Sequence, residues 1–506
     1  MIRKQILLPV LVGSAFFLGA CGDDESAPVF PVVTSSATVP VPESSAAVPV
    51  PESSAEVLPP TSSSVVPVPE SSAAVPPPAS SAVEPPPASS ASAPNPVNYA
   101  PLATSVDAAK AAEVYALWKG YHFVTKETEA TYYASLASDF GDVFPAAYEP
   151  AGRVVWSAQS GYYKAACSVQ DATISTMKLR GCSVSEGIGY GMLLAYFNND
   201  IDAFNRLWNY TRAFRAYNNV KLMPWITISF YWESVDNTSA TDADLDIATS
   251  LILMHYKMKA AGNADAANAY LADALTFVNA MWEKEVNPST LLIYSGDDAR
   301  WKTANAAYNL SYFSPVAIRL FAAVDPGHNW QGVLDATYAY MKKVQDAGTG
   351  VFPDWSDANG NAIDPDNGSA KSTYWLFNKE SVRIPWRIAW DYYWYQDTRA
   401  GAILTKLNEF ISKKASGNPD DDALTVSYSW NLSVGKDNTS STMVSNHWYG
   451  AWCVTGIAGN STWLNKCTTS LNKKQKMLSN GPTSYFIDIL TTMYSGLLNG
   501  LFVRPF

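Results

Sequence analysis

Glu186 opens the stretch SEGIGYGM, and three glycines follow it within five residues, at a point where an amphipathic segment begins. Glycine costs roughly 1 kcal/mol relative to alanine inside a helix. Its concentration beside one carboxylate therefore asks for either tight packing or a backbone closely approached by a bound molecule. A second acidic group lies in SATDADLDIATSLILMHY, where Asp242, Asp244 and Asp246 crowd the start of a strongly apolar segment. Carboxylates there interact favourably with a helix dipole, and Thr241 or Asp242 could cap the helix. Three aspartates in five residues exceed what a cap requires, so partners or ligands must absorb their repulsion. Other chemistries lack their residues. The four histidines are far apart, with no HExxH or Cys/His cluster, so no metal site is expected. No P-loop, dinucleotide fingerprint or GxSxG elbow occurs, and no cofactor is expected. Hydrolysis by carboxylates alone remains.

Helices must position these groups. Apolar residues recur at i, i+3, i+4 and i+7 in segments beginning near Val106, Asp202, Asp244, Ala264, Tyr312, Trp330, Val382, Arg399 and Ser484. Loops rich in Asn, Asp, Ser and Gly separate them, and strand signals are weak. Ten to twelve helices in one all-α body predict hairpins stacked into a closed ring or solenoid, with the site built on loops over a rigid frame.

The body spans residues 104–506. Residues 1–20 read as a secretory leader, with Arg3 and Lys4 before an apolar run. The LGAC that ends at Cys21 resembles a bacterial lipobox, which predicts lipidation of Cys21, export and anchoring to a membrane. Residues 21–103 repeat Pro, Ser, Ala and Val, lack large apolar side chains, and predict an extended, partly polyproline-II linker. A net charge of −11 argues against a nucleic-acid partner. Cys167 lies near Cys182 in sequence, and Cys453 near Cys467. Two local disulfides fit an oxidising compartment, although four cysteines allow three connectivities.

Several motifs resemble glycoside hydrolase family 8. Ala240, Thr241, Asp242, Ala243, Asp244, Ile247, Ala248 and Ser250 satisfy A-[ST]-D-[AG]-D-x-x-[IM]-A-x-[SA]. SEGIGYGM is similar to the family's SEGxGYGM, LMPW at 222–225 to a segment with a sugar-stacking tryptophan, and NLSYFSP at 309–315 to NPSYF/W-P. ESVRIPWR resembles D-x-x-R-x-P-W-R. The resemblance covers most of residues 106–506. It implies an (α/α)6 barrel and inverting hydrolysis of a β-1,4-linked polysaccharide.

In that reading Glu186 is the general acid, and Asp242 hydrogen-bonds the central, distorted sugar. Inversion needs a second carboxylate roughly 6.5–9.5 Å away to activate water. A helix N-terminus favours the ionised carboxylate, so burial or a neighbouring charge, with Asp242 the candidate, must oppose it at the acid. Glu380 stands where the family's main subgroup has aspartate and is the expected base; an inserted loop or Asp391 are the alternatives. Arg383 is expected to orient a carboxylate or touch sugar. Tyr190, Trp225, Tyr312, Phe313 and Tyr485 are expected at the substrate. Cellulose or mixed-linkage β-glucan is the first expectation, acting on the chain interior. Xylan, or xylo-oligosaccharide cut from its reducing end, follows, and then chitosan. A monomeric enzyme is expected; the competing class is a carbohydrate-binding lipoprotein without catalysis.

Overall fold

The computed structural model describes residues 98–129, 144–156, 182–228, 234–365, 373–433, 447–474 and 481–506. The leader, Cys21, the linker up to residue 97 and Cys167 lie outside them. Among the described residues twelve α-helices form. They are α1 (Ala108–His122), α2 (Ser185–Phe197), α3 (Ile201–Asn218), α4 (Thr241–Ala260), α5 (Ala264–Lys284) and α6 (Pro315–Val324). After these come α7 (Trp330–Asp346), α8 (Ile384–Tyr395), α9 (Thr398–Lys414), α10 (His447–Cys453), α11 (Ser461–Lys474) and α12 (Tyr485–Leu498). Each of the nine periodic segments, and the one beginning at Glu186, contains a helix. The segments of α10 and α11 carried no expectation.

The helices sort by burial. α2 is buried along its whole length, and α4 from Thr241 to His255. α3, α5, α7 and α9 instead alternate buried and exposed faces and begin at side-chain caps. Asp200, Asn263, Asn329 and Asp397 accept from Ala203, Ala266, Gly332 and Arg399 backbone N–H groups. Packing follows the same division. α2 touches α4, α4 touches α6, and so on through α8, α10 and α12 back to α2, closing a ring. α1, α3, α5, α7, α9 and α11 pack on its outside, each against a member of that ring.

Short strands are the feature that helical periodicity did not convey. β1 (Phe123–Thr125) pairs antiparallel with β2 (Gly152–Val154). β3 (Cys182–Val184), β4 (Pro224–Ile228) and β5 (Ser234–Ser239) form a sheet in that order, with Val184 opposite Ile226 and Pro224 opposite Ser239. β6 (Leu376–Phe377) pairs with β7 (Tyr428–Ser429). β3 runs directly into α2 and β5 into α4, so one small sheet sets the entry of two neighbouring inner helices. Neither helix begins with a side-chain cap hydrogen bond. Thr241 therefore does not cap α4, and the backbone N–H that Asp242 accepts from is that of adjacent Ala243, at 2.9 Å.

The glycines of α2 serve packing. A Cβ on Gly189 would lie 2.9 Å from Asp246 Cβ and 3.1 Å from the Ala243 carbonyl, both on α4. One on Gly187 would lie 3.0 Å from the Tyr485 ring. On the far side of the ring, a disulfide joins Cys453 of α10 to Cys467 of α11, with Cα atoms 5.2 Å apart. Gly189→Ala should destabilise the protein by about 1–3 kcal/mol, because α4 backbone must shift to admit the methyl group. Gly120→Ala, on α1 with nothing within 4 Å, should be neutral or stabilising by up to ~1 kcal/mol. Urea unfolding of the two variants checks this contrast.

Candidate active site

Arg383 gathers the acidic residues. It ends a 3-10 turn, Ser381–Arg383, that leads from β6 into α8, and its guanidinium is almost wholly buried. Nη1 donates to Glu186 Oε2 and, at 3.0 Å, to Asp242 Oδ2. Nη2 donates to Glu380 Oε2. Residues from three separate parts of the chain thus meet on one planar cation, each within a turn of an inner helix's start.

Further contacts hold each carboxylate. Tyr485, the first residue of α12, donates its hydroxyl to Glu186 Oε1 at 2.8 Å. Asn309 Nδ2 donates to Glu380 Oε2 at 2.6 Å. The turn that carries Glu380 is fixed by Asp354. Its Oδ1 accepts from the backbone N–H groups of Asn378, Glu380 and Ser381 at 3.0, 3.1 and 2.9 Å, and from the Ser381 hydroxyl at 2.8 Å. One turn deeper, Arg387 grips Asp246 with two hydrogen bonds of 2.7 and 2.9 Å.

Two arginines face five buried carboxyls here, so protonation must lower the charge. Burial, opposed by Arg383 and reinforced by the charge of Glu186, pushes Asp242 up to about 7. Burial and then the charge of Glu380 push Asp354 up to about 8, despite the donors on Oδ1. Asp246 is also raised by burial, with Arg387 pulling the other way.

Of the residues expected at the site, Glu186, Asp242, Glu380, Arg383 and Tyr485 are in direct contact. Tyr312 lies alongside, with the Arg383 guanidinium 5.4 Å from its ring centre. Trp225 is half-buried on β4. Tyr190 and Phe313 lie in the core. Tyr190 is fully buried, edge-on to Trp386 at 5.8 Å, because four residues after Glu186 it falls one turn deeper on α2. Phe313 is buried against Tyr340. Asp391 is excluded from the cluster: it accepts from Arg319 at 2.7 and 3.2 Å and from the Tyr338 hydroxyl at 2.6 Å. Asn309, within the quoted NLSYFSP, and Asp246, within the aspartate cluster, had motif signals but no assigned role. Asp354, in a loop outside any quoted motif, had none.

Comparisons with known proteins bear on the family and the fold. A family model for glycosyl hydrolases family 8 matches residues 147–481. Endoglucanase C of Ruminiclostridium cellulolyticum is 31% identical over 313 residues, 62% of either chain. A beta-glucanase of Niallia circulans is 33% identical over 252 residues, 47% of this chain and 60% of its own. The chain thus spans about three-fifths of the length of these curated relatives. Among solved structures, a beta-1,3-1,4-glucanase from Paenibacillus sp. X4 aligns with a TM-score of 0.59 at 23% identity, covering 80% of this chain and 95% of that one. A mutant of Rex8A from Paenibacillus barcinonensis, complexed with xylose, aligns at 0.57 and 15% identity, covering 79% and 95%. At those identities the structural likeness speaks for the fold. The family match takes in Glu186, Asp242 and Glu380 and extends over well more than half of the chain, which belongs to glycosyl hydrolases family 8.

Proposed function

We propose that this chain is an inverting endo-β-1,4-glycanase whose double ring of helices is an (α/α)6 barrel. The observation that carries the reading is the meeting of Glu186 and Glu380 on opposite nitrogens of one guanidinium. In an inverting pair the two carboxyls stand roughly 6.5–9.5 Å apart, which leaves room for an attacking water. Glu186 protonates the departing glycosidic oxygen. Glu380 takes a proton from water as its oxygen bonds to the anomeric carbon from the opposite face. The C–O bond to the leaving sugar breaks, and the configuration inverts.

The two sides of Arg383 are chemically unequal, as this reaction requires. Asp242 shares Nη1 with Glu186 and retains a proton up to about pH 7, so the acid's side of the site holds a proton. On the other side, Asn309 and Arg383 both donate to Glu380, which suits a carboxylate acting as base. In this reading Asp242 orients the central sugar, while Trp225 and Tyr312 offer aromatic faces to the sugar rings. Endoglucanase and beta-glucanase relatives favour a glucan, with cellulose or mixed-linkage β-glucan first. Xylan or xylo-oligosaccharide is the second reading, carried by the xylose complex of the Rex8A fold neighbour. The same proposal places the enzyme outside the cell, tethered to a membrane by lipid on Cys21 through the residue 21–103 linker and acting as a monomer.

Incubation with carboxymethylcellulose should release reducing ends faster than incubation with xylan or chitosan, and anomer-resolved NMR should show the α-anomer forming first. Binding without release from any of the three would make the chain a binding module. Glu380→Gln should lower kcat by roughly 10²–10⁴-fold with the fold retained, and unimpaired activity would remove Glu380 as base. Asp242 is protonated below about 7, so activity should decline as pH rises through that value. Asp242→Asn should be slower throughout and lack that alkaline limb. Labelled fatty acid should be incorporated by the full chain in a bacterial host and lost in Cys21→Ser.

A further inference from the structure

Behind Asp242, α4 carries a third aspartate that the proposed reaction does not use. Asp244 is wholly buried on the side of α4 that faces α5. Glu285, the residue that follows α5, is equally buried, and the two side chains are hydrogen-bonding neighbours. Each has one satisfied oxygen. Asp244 Oδ1 accepts from the Met223 N–H at 2.9 Å, and Glu285 Oε1 accepts from the Ser239 hydroxyl at 2.5 Å. The other two oxygens, Asp244 Oδ2 and Glu285 Oε2, are buried without a donor. Thr241 lies beside Glu285 and pulls its carboxyl down, although its hydroxyl falls short of full hydrogen-bond geometry.

The surrounding charges are spoken for. Asp297, whose charge also faces the pair, accepts from the Ser239 N–H and pairs with Lys284. Arg215 faces Asp244 from α3 but pairs with Asp273 at 2.7 Å. Among the described residues, no lysine or arginine forms an ion pair with Asp244 or Glu285. Two ionised carboxylates in this setting would repel with no paired cation to offset them, whereas one proton turns the contact into a charge-assisted hydrogen bond.

We propose that Asp244 and Glu285 share one proton as an acid–carboxylate pair, and that this pair is a positioning device locking the first turn of α4, hence Asp242, to the end of α5. The same turn is tied by Thr241 N–H to the Ser295 carbonyl, so the pair closes a short loop of bonds through β5, α4 and the strand-like segment after α5. The environment agrees with the assignment: burial pushes Glu285 up to about 7, and burial reinforced by Glu285 pushes Asp244 well above the carboxyl range. Because the pair holds a proton in the folded chain that the unfolded chain has released, its stabilisation is greatest at low pH. It falls as pH rises from the ordinary carboxyl range through about 7.

The test compares wild type, Glu285→Gln and Asp244→Asn in the full chain. Urea-unfolding free energy is measured against pH, and the infrared carbonyl band of protonated carboxyls at neutral pH. Either amide supplies a donor that does not titrate. The stability slope above the carboxyl range should therefore become shallower by about one proton, and the protonated-carboxyl band should weaken. An unchanged slope with an unchanged band in a folded variant overturns the proposal. Should Glu285→Gln fail to fold, Asp244→Asn decides on the same two readouts. Neither readout depends on hydrolysis, so a chain that cleaves no polysaccharide still tests the pair. The positioning role is read from activity: Glu285→Gln should retain it, whereas Glu285→Leu, which has no donor, should lose it. Equal activity in the two variants overturns that part.

Discussion

One buried guanidinium organises the centre of this protein. Burying a charge is costly unless it is paired and its hydrogen-bonding capacity is filled, and Arg383 meets that condition only if the starts of α2 and α4 and the turn before α8 converge on it. Arg383 and Arg387 are spaced i, i+4, as are Asp242 and Asp246 on α4 and Glu186 and Tyr190 on α2. Residues at that spacing stack on one helical face, so the three helices meet in two layers. The upper layer is Glu186, Asp242 and Arg383; the lower is Tyr190, Asp246 and Arg387, whose guanidinium lies 5.9 Å from the Tyr190 ring centre. The lower layer contains no solvent-facing chemistry and supports the upper one.

This layering explains what the sequence revealed and what it concealed. Helical periodicity located the frame because outer helices must be apolar on one face only. It located Glu186 and the aspartates because charged residues in an apolar helix are conspicuous. It did not separate Glu186 from Tyr190, since depth in a ring of helices is not written in i, i+4 spacing. The strands escaped because two- to six-residue ladders are too short to show alternation. α10 and α11 escaped for a different reason: TGIAGN, with two glycines between them, reads as loop, although packing of α10 against α9 and α12, and of α11 against α10 and α12, makes helix worthwhile on either side. Asp354 is invisible for a third reason. Three of its four donors are backbone N–H groups of residues 378–381, and a backbone donor has no residue type to recognise.

The inner helices also solve a capping problem in an economical way. Their first turns leave N–H groups without side-chain caps in α2 and α4, positions where an outer helix would spend an Asp or Asn on its own amides. The carboxylates at these entries also reach sideways, Glu186 and Asp242 to Arg383 and Asp244 to the Met223 N–H. The strands β3 and β5 make this possible, because an extended residue leading straight into the helix sets its entry angle without a polar cap. The result is an acidic interior held together by few cations, and its charge is moderated by protons on Asp242 and Asp354.

Glu380 shows how such a frame accommodates a departure from pattern. The motif it resembles has aspartate at this position, one methylene shorter. Here the Asp354 carboxyl draws the N–H groups of Asn378, Glu380 and Ser381 to a single oxygen, which fixes where the longer side chain begins. Asn309 and Arg383 then fix where it ends, both on Oε2. A side chain anchored at its root and at its tip loses its extra freedom whatever its length. The added methylene is therefore held between two fixed ends, with the carboxylate on the side of Arg383 opposite Glu186.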